Sequence, residues 1–162
     1  GGYGEIDRVE VLHGRIDAFR PPVNRQQLQL RRTIEVVAEY DPHCPTWWQA
    51  CTTGSAERLQ FHAIAKGDAR VLASATFWDL EPLTSGWGVR TAGLIGLEVV
   101  EDRRREGIAT FLLSEAFRLL AGHGIASIEV QSMAHNRAAL SLYEKLGFKV
   151  ADFGTVLRKE AK

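Results

Sequence analysis

The chain has 162 residues, 45% hydrophobic and 25% charged, enough for one ordinary domain with a real core. Twenty Lys and Arg balance twenty Asp and Glu, so the overall field gives no reason to expect nucleic acid or an anionic membrane as partner. No apolar run approaches the roughly eighteen residues that a membrane span needs. The early Glu5 and Asp7 interrupt any apolar signal core, so a cytoplasmic protein is expected. Cys44 and Cys51, with His43 and His62, suggest a zinc set, but their spacing matches no metal motif. Two reduced thiols and no metal are the expectation.

In chain order, residues 5–13 are rich in β-branched residues and read as a strand. Pro21-Pro22 breaks the pattern, since neither proline can donate to a ladder. From Leu28 to Tyr40 two periods compete. Leu30, Ile34 and Val37 fit a helix face, but the β-branched Thr33, Ile34, Val36 and Val37 favour a strand over the whole stretch. A short helix is expected from Trp47 to Cys51, then a hairpin over residues 58–78 turning at Lys66-Gly67-Asp68. Pro82 to Trp87 reads as a loop, where Trp78 and Trp87 are candidate pocket walls or simple core.

The second half alternates clearly. A strand over residues 94–100 leads to a helix over residues 107–121, stopped by Gly122 and Gly124. A strand follows over residues 126–132. Asn136 then caps a helix that ends at Gly147, with Ala139, Leu142, Tyr143 and Leu146 on one face. Residues 148–153 and 155–157 read as closing strands. The whole is an α/β chain with a mixed sheet, antiparallel at first and strand–helix–strand later.

Two stretches carry chemistry. Arg104-Arg105-Glu106-Gly107-Ile108-Ala109-Thr110 lies between a strand and a helix. A helix N-terminus offers unpaired amides and a favourable dipole to an anion. Gly107 and Ala109 allow close approach to the backbone, and the arginines add charge. The stretch fits neither the Walker pattern nor the dinucleotide glycine pattern. A solvated arginine cluster ahead of an ordinary helix is the plainer alternative. The second stretch runs from Asn136 to Phe148, with Tyr143 two turns beyond the cap; alone it is equally an amphipathic helix with a core tyrosine.

Taken together and in this order, about thirty residues apart, R-x-x-G-x-A and N-x-x-A-x-x-x-Y-x-x-x-G-F resemble motifs A and B of the GNAT superfamily of N-acetyltransferases. The motifs cover residues 94–153, and the hairpin position extends the likeness towards residue 28. The resemblance implies acetyl-CoA as cosubstrate, its pyrophosphate bound by the amides of Arg104, Arg105, Glu106, Gly107, Ile108, Ala109 and Thr110. It implies that the backbone of Leu97, Glu98 and Val99 pairs with the pantetheine arm, that Asn136 contacts that arm, and that Tyr143 protonates the departing thiolate. The acceptor implied is an amine of a small molecule or a peptide, attacked in a ternary complex.

A base must also take a proton from the amine. Glu98 and Glu129 are the candidates, although strand alternation turns Glu98 away from the face of Leu97 and Val99. Gln131 stands where some relatives carry a carboxylate, and His135 reads as a loop residue. A non-catalytic acyl-CoA-binding regulatory module is the alternative function, and a plain α/β interaction domain a more distant one. As assemblies, a homodimer and a tandem domain pair are both compatible.

The N-terminus adds one expectation. Residues 2–13 and 147–158 both begin with Gly and an aromatic, share an Asp at the sixth place and end Val-Leu-basic. The chain also opens Gly1-Gly2 without methionine. Residues 1–20 therefore read as a strand segment, the tail of a preceding domain of the same kind, and residues 21–162 as the acetyltransferase domain. Chance similarity between two strand-rich stretches is the competing account.

Overall fold

The computed structural model describes residues 2–40, 58–80, 86 and 88–159. In chain order the elements are β1 (Tyr3–Arg15), α1 (Arg25–Thr33), β2 (Ile34–Tyr40), β3 (Arg58–Ala65), β4 (Val71–Asp79), β5 (Thr91–Val99), a short 3-10 turn (Glu101–Arg103), α2 (Ile108–Gly122), β6 (Ser127–Met133), α3 (Arg137–Lys145) and β7 (Lys149–Lys159). The strands form one sheet in the order β2-β3-β4-β5-β6-β1-β7. Every adjacent pair is antiparallel except β5 and β6, which are parallel.

One expectation is corrected. Residues 28–33 are helical, and only Ile34 onward is strand. The side chain of Asn24 accepts the Gln27 N–H at 2.8 Å, a cap that supplies one of the helix's unpaired amides with an acceptor. Leu30 and Gln27 are buried on the helix's inner face. The β-branched residues do take the strand, since helix and strand meet at Ile34, where φ and ψ turn extended. A smaller correction concerns the end of the chain. Gly154 does not divide two strands, because β7 runs unbroken alongside β1 from Lys149 to Lys159.

Residues 3–15 are integral to this sheet, with β1 lodged between β6 and β7 and paired with both. The two stretches that echo each other in sequence are thus adjacent antiparallel strands. The expected helix at Trp47 and the Pro82 loop lie outside the described residues, except that Gly86 is in a turn.

Burial follows the strand period. Phe61 and Ala63 of β3, Ala75 and Phe77 of β4, and Ile128 and Val130 of β6 are buried, with Leu112, Leu113, Ala116 and Phe117 of α2. Phe117 is the hub. It meets Phe77 edge-on at 6.3 Å between ring centres, Phe19 at 5.3 Å and Phe148 at 5.8 Å. Phe148 in turn lies 5.9 Å from the ring of Tyr143, so the core joins α2 to α3 through aromatic contacts.

Candidate active site

The site begins where the sheet divides. The β5–β6 ladder pairs Thr91 with Ser127 and runs only to Leu94 opposite Val130. Beyond that pair the strands separate. β5 continues through Val99 held by β4 on its outer side, with Ala73 opposite Val99. β6 continues through Met133 held by β1, with Val9 opposite Met133. Each arm of the opening is braced by an antiparallel neighbour, and the inner edges are left without strand partners. Leu97, Glu98 and Val99 lie on such an edge. Leu97 and Val99 pack against the core while Glu98 is exposed on the other face, as alternation indicated.

The free end of β5 leads through the 3-10 turn into α2. Arg105 and Gly107 both have positive φ, 64° and 78°, and Gly107 is the left-handed N-cap of the helix. No side chain caps this end. The first backbone bond of the helix returns from Phe111 N–H to the Gly107 carbonyl at 3.0 Å, and the preceding amides from Arg105 to Thr110 have no acceptor among the described residues. The first of these helical amides, at Ile108, Ala109 and Thr110, carry the positive end of the helix dipole, which suits a phosphate.

The left-handed φ is what calls for glycine at this position; a Cβ would also meet the side-chain ends of Gln26 and Gln27, at 2.6 Å and 2.9 Å, which would have to swing aside. Gln27 Nε2 donates to the Gly107 carbonyl at 3.1 Å, so α1 fixes the turn from behind. Of the arginines, Arg103 is occupied by Glu106 at 2.7 Å, and Arg104 Nε donates to the Val99 carbonyl at 3.3 Å. Arg105 is exposed.

On the other side stands α3. Asn136 caps it, its Oδ1 accepting the Ala139 N–H at 3.2 Å. Tyr143 is only 5% exposed, and its hydroxyl has no hydrogen-bond partner among the described residues. A buried phenol without a partner costs on the order of 1–3 kcal/mol, a penalty that a ligand would relieve. Burial also pushes the phenol's pKa above its ordinary value, so it stays protonated through the neutral range.

The amides of the turn are chemically suited to an anion, and the Tyr143 hydroxyl, unpartnered among the described residues, has a proton it could donate. Sequence reasoning missed Gln26 and Gln27, whose roles depend on packing across about eighty residues of chain. His13 was also missed. It lies 3.1 Å from Glu129 across β1 and β6. His62, considered above as a metal ligand, instead contacts Ser74 Oγ at 2.8 Å and Glu39 at 3.7 Å. Cys44, Cys51 and His43 lie outside the described residues.

The mixed sheet thus opens at its one parallel junction, and beyond it lies a helix N-terminus that no side chain caps among the described residues. The model of the Acetyltransferase (GNAT) family matches residues 24–148, and the chain belongs to that family. Over 60 residues it is 37% identical to the [Ribosomal protein bS18]-alanine N-acetyltransferase of Escherichia coli K12, covering 37% of this chain and 40% of that one. Among solved structures it resembles a tandem GNAT protein from the clavulanic acid biosynthesis pathway, with TM-score 0.66, 13% identity, 98% of this chain and 56% of the other. It also resembles a GCN5-related N-acetyltransferase from Sphaerobacter thermophilus, with TM-score 0.62, 18% identity, 98% of this chain and 53% of the other. The chain thus spans about half the length of these solved relatives. No helix among the described residues is long and apolar enough to cross a membrane.

Proposed function

We propose that this protein is a cytoplasmic enzyme that transfers an acetyl or similar short acyl group from acetyl-CoA to a primary amine. Transfer is by direct attack within a ternary complex. The observation that carries the reading is the conjunction of an opened β5–β6 junction with amides at the α2 turn that no acceptor among the described residues claims. Acetyl-CoA would supply an activated thioester. Its diphosphate would be held by the amides of residues 105–110 with Arg104 and Arg105, and its arm by the β5 edge at residues 97–99 and by Asn136.

The chain's own groups supply the rest. A backbone N–H near Val99 would stabilise negative charge on the acyl oxygen. Tyr143, protonated and buried, would give its proton to the departing thiolate. Confining the amine beside the thioester lowers the barrier further by removing the entropy of a bimolecular encounter.

The similarity to an enzyme named for ribosomal protein alanine makes a peptide with an N-terminal alanine the first acceptor to test. Spermidine and an aminoglycoside represent the small amines. The test is CoA-thiol release with these three acceptors, alongside acetyl-CoA binding by calorimetry. Thiol release that depends on an amine supports the transferase. Binding without release favours a non-catalytic acyl-CoA module, and absence of both refutes the reading.

The N-terminal echo belongs to the same proposal. It rests on the likeness of residues 2–13 to residues 147–158 in sequence. A second N-x-x-A-x-x-x-Y pattern in the upstream coding sequence would support it.

A further inference from the structure

If the acyl-transfer reading holds, one chemical need is unmet: a group must take the proton that the attacking amine loses. The strand registers bring one row of residues together at the point where β5 and β6 part. Trp78 of β4 lies opposite Gly93 of β5, Gly93 beside Glu129 of β6, and Glu129 opposite His13 of β1. Cross-strand partners project to the same face. Here it is the face opposite buried Ile128 and Val130.

Gly93 has no side chain, and a Cβ built on it would collide with the indole of Trp78, which lies across the backbone there. A register shift then skips Ile95, so that Gly96, opposite Thr76, faces the same way. Nothing stands closer to the Cβ position of Gly96 than Thr76 Oγ1 at 3.9 Å. The row thus presents an aromatic wall, a strip of bare backbone and a carboxylate, one residue short of the last β5–β6 pair.

We propose that Glu129 accepts the amine proton and that His13, carried in by the N-terminal strand, positions its carboxylate. His13 Nε2 is 3.1 Å from Glu129 Oε2, and Gln131 Nε2 is 3.5 Å from Oε1. The Glu129 side chain is 19% exposed and that of His13 40%, so the pair is sheltered yet reachable. A carboxylate accepts about four hydrogen bonds, and two donors leave capacity for the amine. Glu98 is set up differently. It is exposed, lies opposite Ser74 on the separated part of β5, and has no ion pair among the described residues.

The same strand that places His13 also braces β6 where β5 has left it, with Val11 opposite Gln131 and Val9 opposite Met133. The step balances. The amine nitrogen forms the C–N bond as the C–S bond breaks, its surplus proton goes to Glu129, and Tyr143 gives one to the thiolate. Exchange with water then resets both residues.

The test uses the full chain with the alanine peptide, spermidine and an aminoglycoside as acceptors, with acetyl-CoA binding measured separately. Glu129→Gln is expected to lower kcat about a hundredfold while acetyl-CoA binds within twofold of wild type. His13→Ala is expected to lower kcat about tenfold with KM little changed, and His13→Gln, which keeps a donor, to recover most of the loss. Independently of turnover, imidazole nitrogen NMR at neutral pH should show the Nε2–H of His13 hydrogen-bonded in the wild type and released in Glu129→Ala. Wild-type turnover with Glu129→Gln within twofold of it, or with the loss appearing in Glu98→Gln instead, overturns this inference and leaves the transferase standing. No turnover by the wild type with any amine overturns both.

Discussion

The two arms of the opening are built on different principles. The β5 arm runs straight into its functional turn, so strand, cradle and helix follow one another within about thirty residues. The β6 arm depends on distant chain. Its outer edge is closed by β1, and Glu129 meets a histidine 116 residues away. Anion binding at a helix end needs only local backbone and a glycine, whereas orienting a carboxylate needs a partner from another strand. The proposed cradle can therefore be written as a short motif and the proposed proton acceptor cannot.

Gly107→Val should have the largest effect, because it attacks the locally built arm at its one obligatory glycine. Left-handed backbone costs a non-glycine residue on the order of 1–3 kcal/mol, and the added carbons would push aside the side-chain ends of Gln26 and Gln27, including the Gln27 amide that donates to the turn. The rise in Tm that acetyl-CoA gives the wild type should vanish, as ligand stabilisation requires binding to the native state. A folded Val variant with an undiminished rise would show that the turn is not the cradle.

Tyr143→Phe comes next and separates chemistry from packing. Turnover should fall about a hundredfold, with acetyl-CoA affinity nearly unchanged. Tm should stay level or rise, because the substitution deletes a buried hydroxyl that has no partner among the described residues. A lowered Tm with unaltered kcat would make the tyrosine a structural residue only.

These contrasts explain what was legible in the sequence. The β5–α2–β6–α3 run could be read because caps, stops and period all act over a few residues: Asn136 caps α3, and Gly147 takes the left-handed position after it. The start of α1 was obscured by β-branched residues that belong to the following strand. Its Asn24 cap and the burial of Leu30 outweigh their propensity. The place of β1 inside the sheet was not readable, because strand order is set by pairing partners and not by position in the chain. His13 alternates with buried Leu12 like any outward residue of a strand, so nothing local distinguished it.

The α1 cap provides a smaller test of how far the cradle depends on support from behind. Asn24→Ala should cost about 1 kcal/mol of stability and weaken acetyl-CoA binding only modestly through the Gln27 contact with Gly107. Chemical denaturation and calorimetry on the same variant would measure both. A binding loss as large as that of Gly107→Val would mean that α1 contributes to the ligand site directly.

The smallest effect belongs to the β1 arm. Asp7 accepts the Arg8 N–H and contacts His135 at 2.6 Å, tying β1 to the segment before α3. The backbone N–H of Arg8, and secondarily His135, hold its carboxyl below the ordinary aspartate range. A depressed folded pKa stabilises fully above the unfolded value and loses that contribution as pH falls through the folded one. The Tm difference between wild type and Asp7→Asn should therefore be small above the ordinary aspartate range and shrink below about pH 4. A difference that persists unchanged to pH 2 would contradict the assignment.

The central claim is that acetyl-CoA occupies the divided junction and the turn beyond it. Titrating acetyl-CoA into nitrogen-15-labelled protein tests this most directly, by following the backbone amides. The largest shifts should fall on residues 105–110 and on the free β5 edge at residues 95–99, with the paired stretch at residues 91–94 moving less. Saturable binding whose shifts cluster elsewhere, or no binding at millimolar acetyl-CoA, would contradict the account.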